Sequence, residues 1–390
     1  MHMPYTWKPE RQKRKPETYL KMMLPVNNTI TDLTPLTTRC NRPLQMTFED
    51  QINILVYFHL EEHHSGRHLL QVLKENHFAR QYVAPEKGIS KSSFFEDISS
   101  RGLEQMVELF GKLYGKAAQR LPKGHAEMGD LTIIDGSLID AVLSMYWADY
   151  RDGSKKAKVH IGFDLNRGIP KKIFLTEGKG DERPFVSKIL APGETGVMDR
   201  YYQRHKSFDE WQTEGKHFIC RIKENTKRTE IRKNDLPPGG IVFYDAVVLL
   251  GTQYVNQTQK EVRLVGYRVA KVDYWIATDR YDLSAEQIAF AYKLRWNIEI
   301  FFGWWKRHLK VYHLISRSKY GLMVQMLAGL ITYILLAIYC HDEYQEHVSV
   351  KRLREICIKI RNETSLADIV NDTGVWLYQP PGSGFFYASP

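Results

Sequence analysis

The chain has 390 residues, 43% of them hydrophobic, with 55 Lys and Arg against 45 Asp and Glu for a net charge of +10. That apolar content excludes a largely disordered chain and leaves room for two or three domains, each with its own core. The basic excess points to a polyanionic partner, while four scattered cysteines (Cys40, Cys220, Cys340 and Cys357) exclude a disulfide framework or zinc knuckle and fit a reducing cytoplasm.

The N-terminus carries charges where an export signal needs an apolar run. Residues 1–45 mix Lys8, Arg11, Lys13, Arg14, Lys15 and Lys21 with prolines, and read as a basic arm with little structure of its own. It is either a solvated tail or an arm that orders on nucleic acid. From Thr47 the period turns helical: Thr47 and Asp50 make a cap, and Ile52, Leu55, Val56 and Leu60 share a face. Residues 46–128 are therefore expected to form a helical domain. Within it Ser90–Ile98 opens either a recognition helix or one more helix of a plain bundle. His59, His63, His64 and His68 read as exposed surface histidines, because no carboxylate or cysteine pattern accompanies them.

The period then becomes that of strands. Leu131–Ile134 is a short apolar run that delivers Asp135 at its end, and 158–165 with 171–176 read as a hairpin turning at Asn166-Arg167-Gly168. Thr195–Met198 delivers Asp199, and Phe218–Lys223 makes a fifth strand. Strands with interposed helices describe an α/β mixed sheet whose carboxylates meet at one edge. Residues 225–280 carry further β-type runs and are expected to form a β-rich insertion. A long helix follows from Ser284, capped through Gln287. The apolar stretch Gly321–Cys340 has the length of a membrane span, but Gln325 and Thr332 interrupt it, so a buried core helix is expected. Residues 346–390 read as a C-terminal helix and tail.

The helix after Ser284 holds the most specific pattern. Offsets of three, seven and fourteen from Tyr292 place Arg295, Glu299 and Lys306 with it within an arc of roughly 60° on a continuous helix. Leu294, Trp296, Ile298, Ile300, Phe301, Phe302, Trp304 and Trp305 make the rest of that helix apolar, so the polar stripe is expected to face a cleft. Trp304 and Trp305 read as core aromatics before they read as a cradle for an unstacked base. A carboxylate in a cleft needs a cation or a metal. Two strand-end aspartates and a helix glutamate supply the oxygen ligands that Mg²⁺ and Mn²⁺ prefer, and a pair of such ions drives in-line phosphoryl transfer. Asp140, Asp164 and Asp181 are competing carboxylates, ranked lower for their positions beyond the strand end or around the hairpin.

The spacing Tyr292-x2-Arg295-x3-Glu299-x6-Lys306 resembles the YREK signature of the insertion-sequence-four family of bacterial DDE transposases. Asp135 in Ile-Ile-Asp-Gly-Ser and Asp199 in Val-Met-Asp-Arg are similar to that family's two catalytic aspartates. The resemblance implies a ribonuclease H-like core over 129–224 and 281–345, an insertion before the Glu299 helix, and Asp135, Asp199 and Glu299 as catalytic ligands of two Mg²⁺ or Mn²⁺ ions. It also implies Tyr292, Arg295 and Lys306 as DNA-binding residues. Expected partners are the inverted-repeat ends of the element and target DNA, engaged by a homodimer at the nucleoid in the cytoplasm, with no membrane. The alternatives are a ribonuclease H-like nuclease that cleaves without joining, and an inactive DNA-binding descendant. Tyr201 departs from the small residue that the family places after the second aspartate, which predicts a different turn there.

Overall fold

The computed structural model describes residues 17–36, 44–61, 63–151, 153–236, 239–309, 311–346 and 349–373. The first part is helical: α1 (Glu17–Ile30), α2 (Phe48–Leu60), α3 (Gly66–Glu75), α4 (His77–Tyr82), α5 (Lys91–Ser100) and α6 (Leu103–Arg120). The expected cap of α2 is present in both directions, with Thr47 and Asp50 each satisfying the other's backbone N–H. The unstructured arm expected over 1–45 is corrected at α1. Tyr19, Met22, Met23 and Val26 recur at helical spacing and are buried, although Pro25 interrupts the pattern. Residues 1–16 lie outside the described residues. The histidine reading also fails in part: His59 is fully buried, with its ring nitrogens facing the carbonyls of Leu309 and Gln325, and His63 is buried as well.

Strands β1 (Leu131–Asp140), β2 (Asp149–Arg151), β3 (Ser154–Asp164) and β4 (Ile169–Glu177) come next, then the short helix α7 (Val186–Ile189), β5 (Thr195–Met198), α8 (His205–Thr213) and β6 (His217–Arg221). The hairpin β3–β4 turns where Asn166-Arg167-Gly168 indicated, with Gly168 in the left-handed region. Asn166 is buried there and accepts from the N–H of Leu131, which fixes the start of β1. Four more strands follow: β7 (Arg228–Lys233), β8 (Val242–Leu250), β9 (Val262–Val269) and β10 (Val272–Thr278). All belong to one ten-stranded mixed sheet in the order β2-β3-β1-β5-β6-β10-β9-β8-β7, with β4 beside β3. β1 runs antiparallel to β3 and parallel to β5, and β5 runs parallel to β6. The β-rich stretch after residue 225 thus extends the sheet through β10, which pairs with β6 on one side and β9 on the other.

The chain closes with α9 (Ala285–Leu294), α10 (Trp296–His308), α11 (Lys319–Tyr344) and α12 (Val350–Thr373). α11 passes the length and hydropathy test for a membrane span, yet 94% of its apolar window is buried inside the protein. It packs on α1, α2, α5, α6 and β4, so its uniformly apolar surface is a core and needs no lipid. α1 closes against the opposite end of the sequence, where Glu363 of α12 accepts from both the N–H and the hydroxyl of Thr18.

Gln325, fully buried on α11, explains why a polar residue interrupts that helix. Its side chain accepts from the N–H of Ile315 at 2.9 Å and donates to the carbonyl of His313 at 2.9 Å. Replacing it with Leu adds apolar surface but strands two backbone groups, each worth about 1–3 kcal/mol when left unpaired. Gln325→Leu is therefore expected to destabilise the fold by about 2–4 kcal/mol in denaturant unfolding. A variant as stable as the parent would show that water or backbone movement satisfies those groups.

Candidate active site

The parallel register of β1 and β5 pairs Ile133 with Val197. Two residues further along each chain come Asp135 and Asp199, so the pairing sets the two aspartates side by side just beyond the last paired residues of β1 and β5, on the side where β5 ends. Asp199 follows the last residue of β5, as expected, and its Oδ1 accepts from the N–H of Tyr201 at 2.8 Å. Asp135 is not at a strand end: β1 continues through Gly136 to Asp140, paired along its length with β3. The carboxylate accepts from the N–H of Gly136 at 2.8 Å.

The expected continuous helix is divided. Arg295 N–H bonds to Tyr292 and Ile298 N–H to Arg295, both at i−3 spacing, which tightens the chain at Arg295 and separates α9 from α10. Tyr292 ends up on α9, Arg295 at the joint, and Glu299 and Lys306 on α10. At the joint the Arg295 guanidinium lies 2.5 Å from Glu299 and 3.6 Å from Asp135. It links the helix carboxylate to the strand carboxylate, as a cleft-facing stripe requires. Tyr292 is buried, with the Arg295 guanidinium carbon 6.0 Å from its ring centre and the ring of Tyr274 at 6.2 Å. Lys306 is half-buried and donates to the carbonyl of Leu138 on β1 at 2.7 Å, and burial lowers its pKa. Trp304 and Trp305 are both buried, as core aromatics.

The competing carboxylates are engaged elsewhere. Asp164 is buried beside β1 but accepts from Tyr114 and pairs with Arg167. Asp140 is the exposed last residue of β1 and pairs with Lys156, and Asp181 faces Arg183. Glu182 escaped the sequence reading. It accepts a 2.7 Å hydrogen bond from the buried Tyr202 hydroxyl and lies 3.2 Å from the ammonium of Lys158. It stands in a turn-rich stretch with no strand end to mark it. The only sequence signal was the glycine after Asp135, which turns out to make room for it.

Tyr201 fits its turn without strain. Arg200–Tyr202 is a 3₁₀ turn with no left-handed residue, and the Tyr201 ring points outward under the Arg183 guanidinium at 4.9 Å. The expectation of a turn forced away by that side chain is not met.

Charge is unevenly balanced. Burial pushes the pKa of Asp135 up to about 7; Glu182 and Asp199 push it the same way, against the Gly136 N–H and Arg295. Hard oxygen donors gather here, but among the described residues no three His, Cys, Asp or Glu side chains converge closely enough, as they stand, to hold an ion. One Glu299 oxygen is engaged by Arg295.

A model for transposase DDE domains matches residues 127–335, which span β1 to α11. Among similar proteins, one named as a transposase for insertion sequence element IS5377 of Geobacillus stearothermophilus is 28% identical over 208 residues, 52% of this chain and 55% of that relative. The chain thus spans about half of that relative's length. Another, named as a transposase for insertion sequence element IS4SA of Synechocystis sp., is 24% identical over 274 residues, 65% of this chain and 78% of the relative. A solved piggyBac transposase synaptic complex with hairpin DNA aligns with TM-score 0.45 and 10% identity, over 96% of this chain and 88% of that one.

The raised pKa of Asp135 has a consequence for stability. Between an ordinary carboxylate pKa near 3.8 and about 7, the folded protein holds a proton on Asp135 that the unfolded chain has released. Stability from this group is therefore lost as pH rises through that window. Asp135→Asn removes the buried charge, so in chelator its gain over the parent should be larger at pH 8 than at pH 5, by on the order of 1–3 kcal/mol. An equal difference at both pH values in denaturant unfolding would mean that Arg295 fully compensates the carboxylate.

Proposed function

The chain belongs to the transposase DDE-domain family, among the bacterial insertion-sequence transposases, and from that premise we propose that it binds the inverted-repeat ends of its element, cleaves them and joins them to target DNA. The observation that carries this reading is the parallel pairing that sets Asp135 beside Asp199, with Arg295 linking Asp135 to Glu299. The core is read as ribonuclease H-like. Its support is the strand order β4-β3-β1-β5-β6, antiparallel across the first three and parallel across the last three. In this reading 129–224 and 281–345 form the catalytic core, 225–280 an insertion and 46–128 the end-binding helical region, now joined by α1.

Asp135, Asp199 and Glu299 are the residues that would hold Mg²⁺ or Mn²⁺, and the fit lies in their chemistry: three oxygen donors, one of them buried with its charge poorly offset. Held there, such ions would supply Lewis-acid activation of an attacking oxygen and charge stabilisation for a leaving 3′ oxygen. The chain's own side chains do the positioning. Arg295 presents a planar fork suited to a phosphate oxygen pair and stands within reach of two of the three carboxylates. Tyr292 offers its hydroxyl to a phosphate or its ring to a sugar from the end of α9. Lys306, anchored on β1, carries positive charge along the same helix as Glu299. Pairing two ends calls for two such sites, hence a homodimer on DNA, acting at the nucleoid.

Replacing Asp135, Asp199 or Glu299 by Ala should abolish divalent-ion-dependent cleavage of a duplex carrying the element's end, while binding to that duplex survives on the basic surface. Cleavage at the parent rate by any one of the three removes that residue from the site. Cleavage without joining by the parent protein would reduce the activity to that of a nuclease.

Lys306 separates phosphate gripping from ion binding. Lys306→Ala should weaken end binding and slow strand transfer by about tenfold or more, and Lys306→Arg should do less harm because the charge survives. Unchanged binding and joining in Lys306→Ala, at matched thermal stability, would leave it only as the prop of the Leu138 carbonyl.

A further inference from the structure

We propose that Glu182 is a positioning residue of this reaction, whose carboxylate bridges the strand of Asp135 to the turn of Asp199 and so fixes how the two aspartates face each other. The proposal rests on the reading that those aspartates act together on DNA.

Glu182 opens the 3₁₀ turn Arg183–Phe185 that follows β4. One oxygen accepts from Tyr202 at 2.7 Å and the other lies 3.2 Å from Lys158, and the Glu182 and Lys158 side chains are only 13% and 15% exposed. Tyr202 ends the turn that Asp199 caps, and its N–H returns to the Asp199 carbonyl at 3.2 Å. Its ring is fully buried with Ile134 of β1 and Met198 of β5. Lys158 stands opposite Leu138 in the β1–β3 register and donates to the carbonyl of Gly180 at 3.1 Å. On the remaining side the carboxylate lies against Gly136, the residue after Asp135. A Cβ there would sit 2.6 Å from its carbon and 2.7 Å from each oxygen. With Glu182 held where Tyr202 and Lys158 hold it, a glycine beside Asp135 is what leaves that space.

Stability alone does not explain this arrangement. A carboxylate taken largely out of water, with Asp135 close enough to feel its charge, is often matched or bettered in stability by an apolar residue of the same volume. What it supplies is a rigid link that touches the neighbourhood of both aspartates and shares its oxygens with a hydroxyl and an ammonium. Supporting residues of this kind typically change ion affinity or activity by about 10–100-fold when removed.

The test uses the full-length protein and two readouts: Mn²⁺ affinity by titration, and cleavage of an end-bearing duplex with end binding measured separately. Glu182→Ala and Tyr202→Phe should each weaken Mn²⁺ binding and lower kcat for cleavage by about 10–100-fold, with end binding retained. Glu182→Gln keeps an acceptor for the Tyr202 hydroxyl, so it should retain more of both than Glu182→Ala. Combining Tyr202→Phe with Glu182→Ala should add nothing further, because both cut one link. If Glu182→Ala does not fold, Tyr202→Phe, which keeps the buried ring, carries the measurement. Parent-like Mn²⁺ affinity and cleavage in Tyr202→Phe and Glu182→Ala overturn the proposal. Gln as damaging as Ala also overturns it, in favour of direct ligation. Asp135→Ala is the control: cleavage surviving there sinks the functional reading itself, whereas loss there with cleavage intact in Glu182→Ala sinks only the bridge.

Discussion

Like charge held close together is the constraint around which this site is arranged. Parallel pairing of β1 with β5, which runs to two residues before each aspartate, brings Asp135 and Asp199 side by side, and β1 is further pinned by β3 along most of its length. Arg295 is the nearest answer to that charge from the helical layer. Its position requires the tight joint between α9 and α10, and the joint in turn orients everything that follows on α10. Lys306 then meets β1 at Leu138, so strand and helix are tied at two points about three turns apart along α10.

Much of this was legible in the sequence because it was written in short-range pattern. The apolar runs before Asp135 and Asp199, the hairpin turn at Asn166-Arg167-Gly168 and the caps at Thr47 and Ser284 each depend on residues within a few positions of one another. α11 was legible for the same reason, since Gln325 and Thr332 marked it as a core helix. What escaped depended on contacts far apart in sequence. Glu182 becomes part of the site only through Tyr202, Lys158 and Gly136, none of them a helical or strand neighbour. The break at Arg295 has no proline or glycine to announce it. Its i−3 hydrogen bonds form where the side chain is drawn between two carboxylates supplied by different elements. α1 was missed because its apolar face lies among charges and a proline, and the helices that bury it, α6, α11 and α12, come much later in the chain.

The buried histidines make the same point from the opposite side. Polar residues clustered near one helix read as a surface, yet the buried His59 ring lies between the carbonyl of Leu309 just after α10 and that of Gln325 on α11, and its single N–H serves one of them. The Gln325 side chain adds two hydrogen bonds where the chain leaves α10 and turns into α11. The helix that carries Glu299 is thereby held from behind by polar groups placed inside an otherwise apolar core, where they add directionality that hydrophobic contact lacks.

The far end of the sheet has its own consequence. Among the described residues β7 pairs only with β8, and it carries Arg228, Glu230, Arg232 and Lys233, with a register shift between Glu230 and Arg232. An open strand of this kind is a template on which another chain can crystallise, but mixed charges and a local kink make that addition unfavourable. Further strand addition, and with it aggregation, is therefore discouraged at this edge by the chemistry of β7 itself.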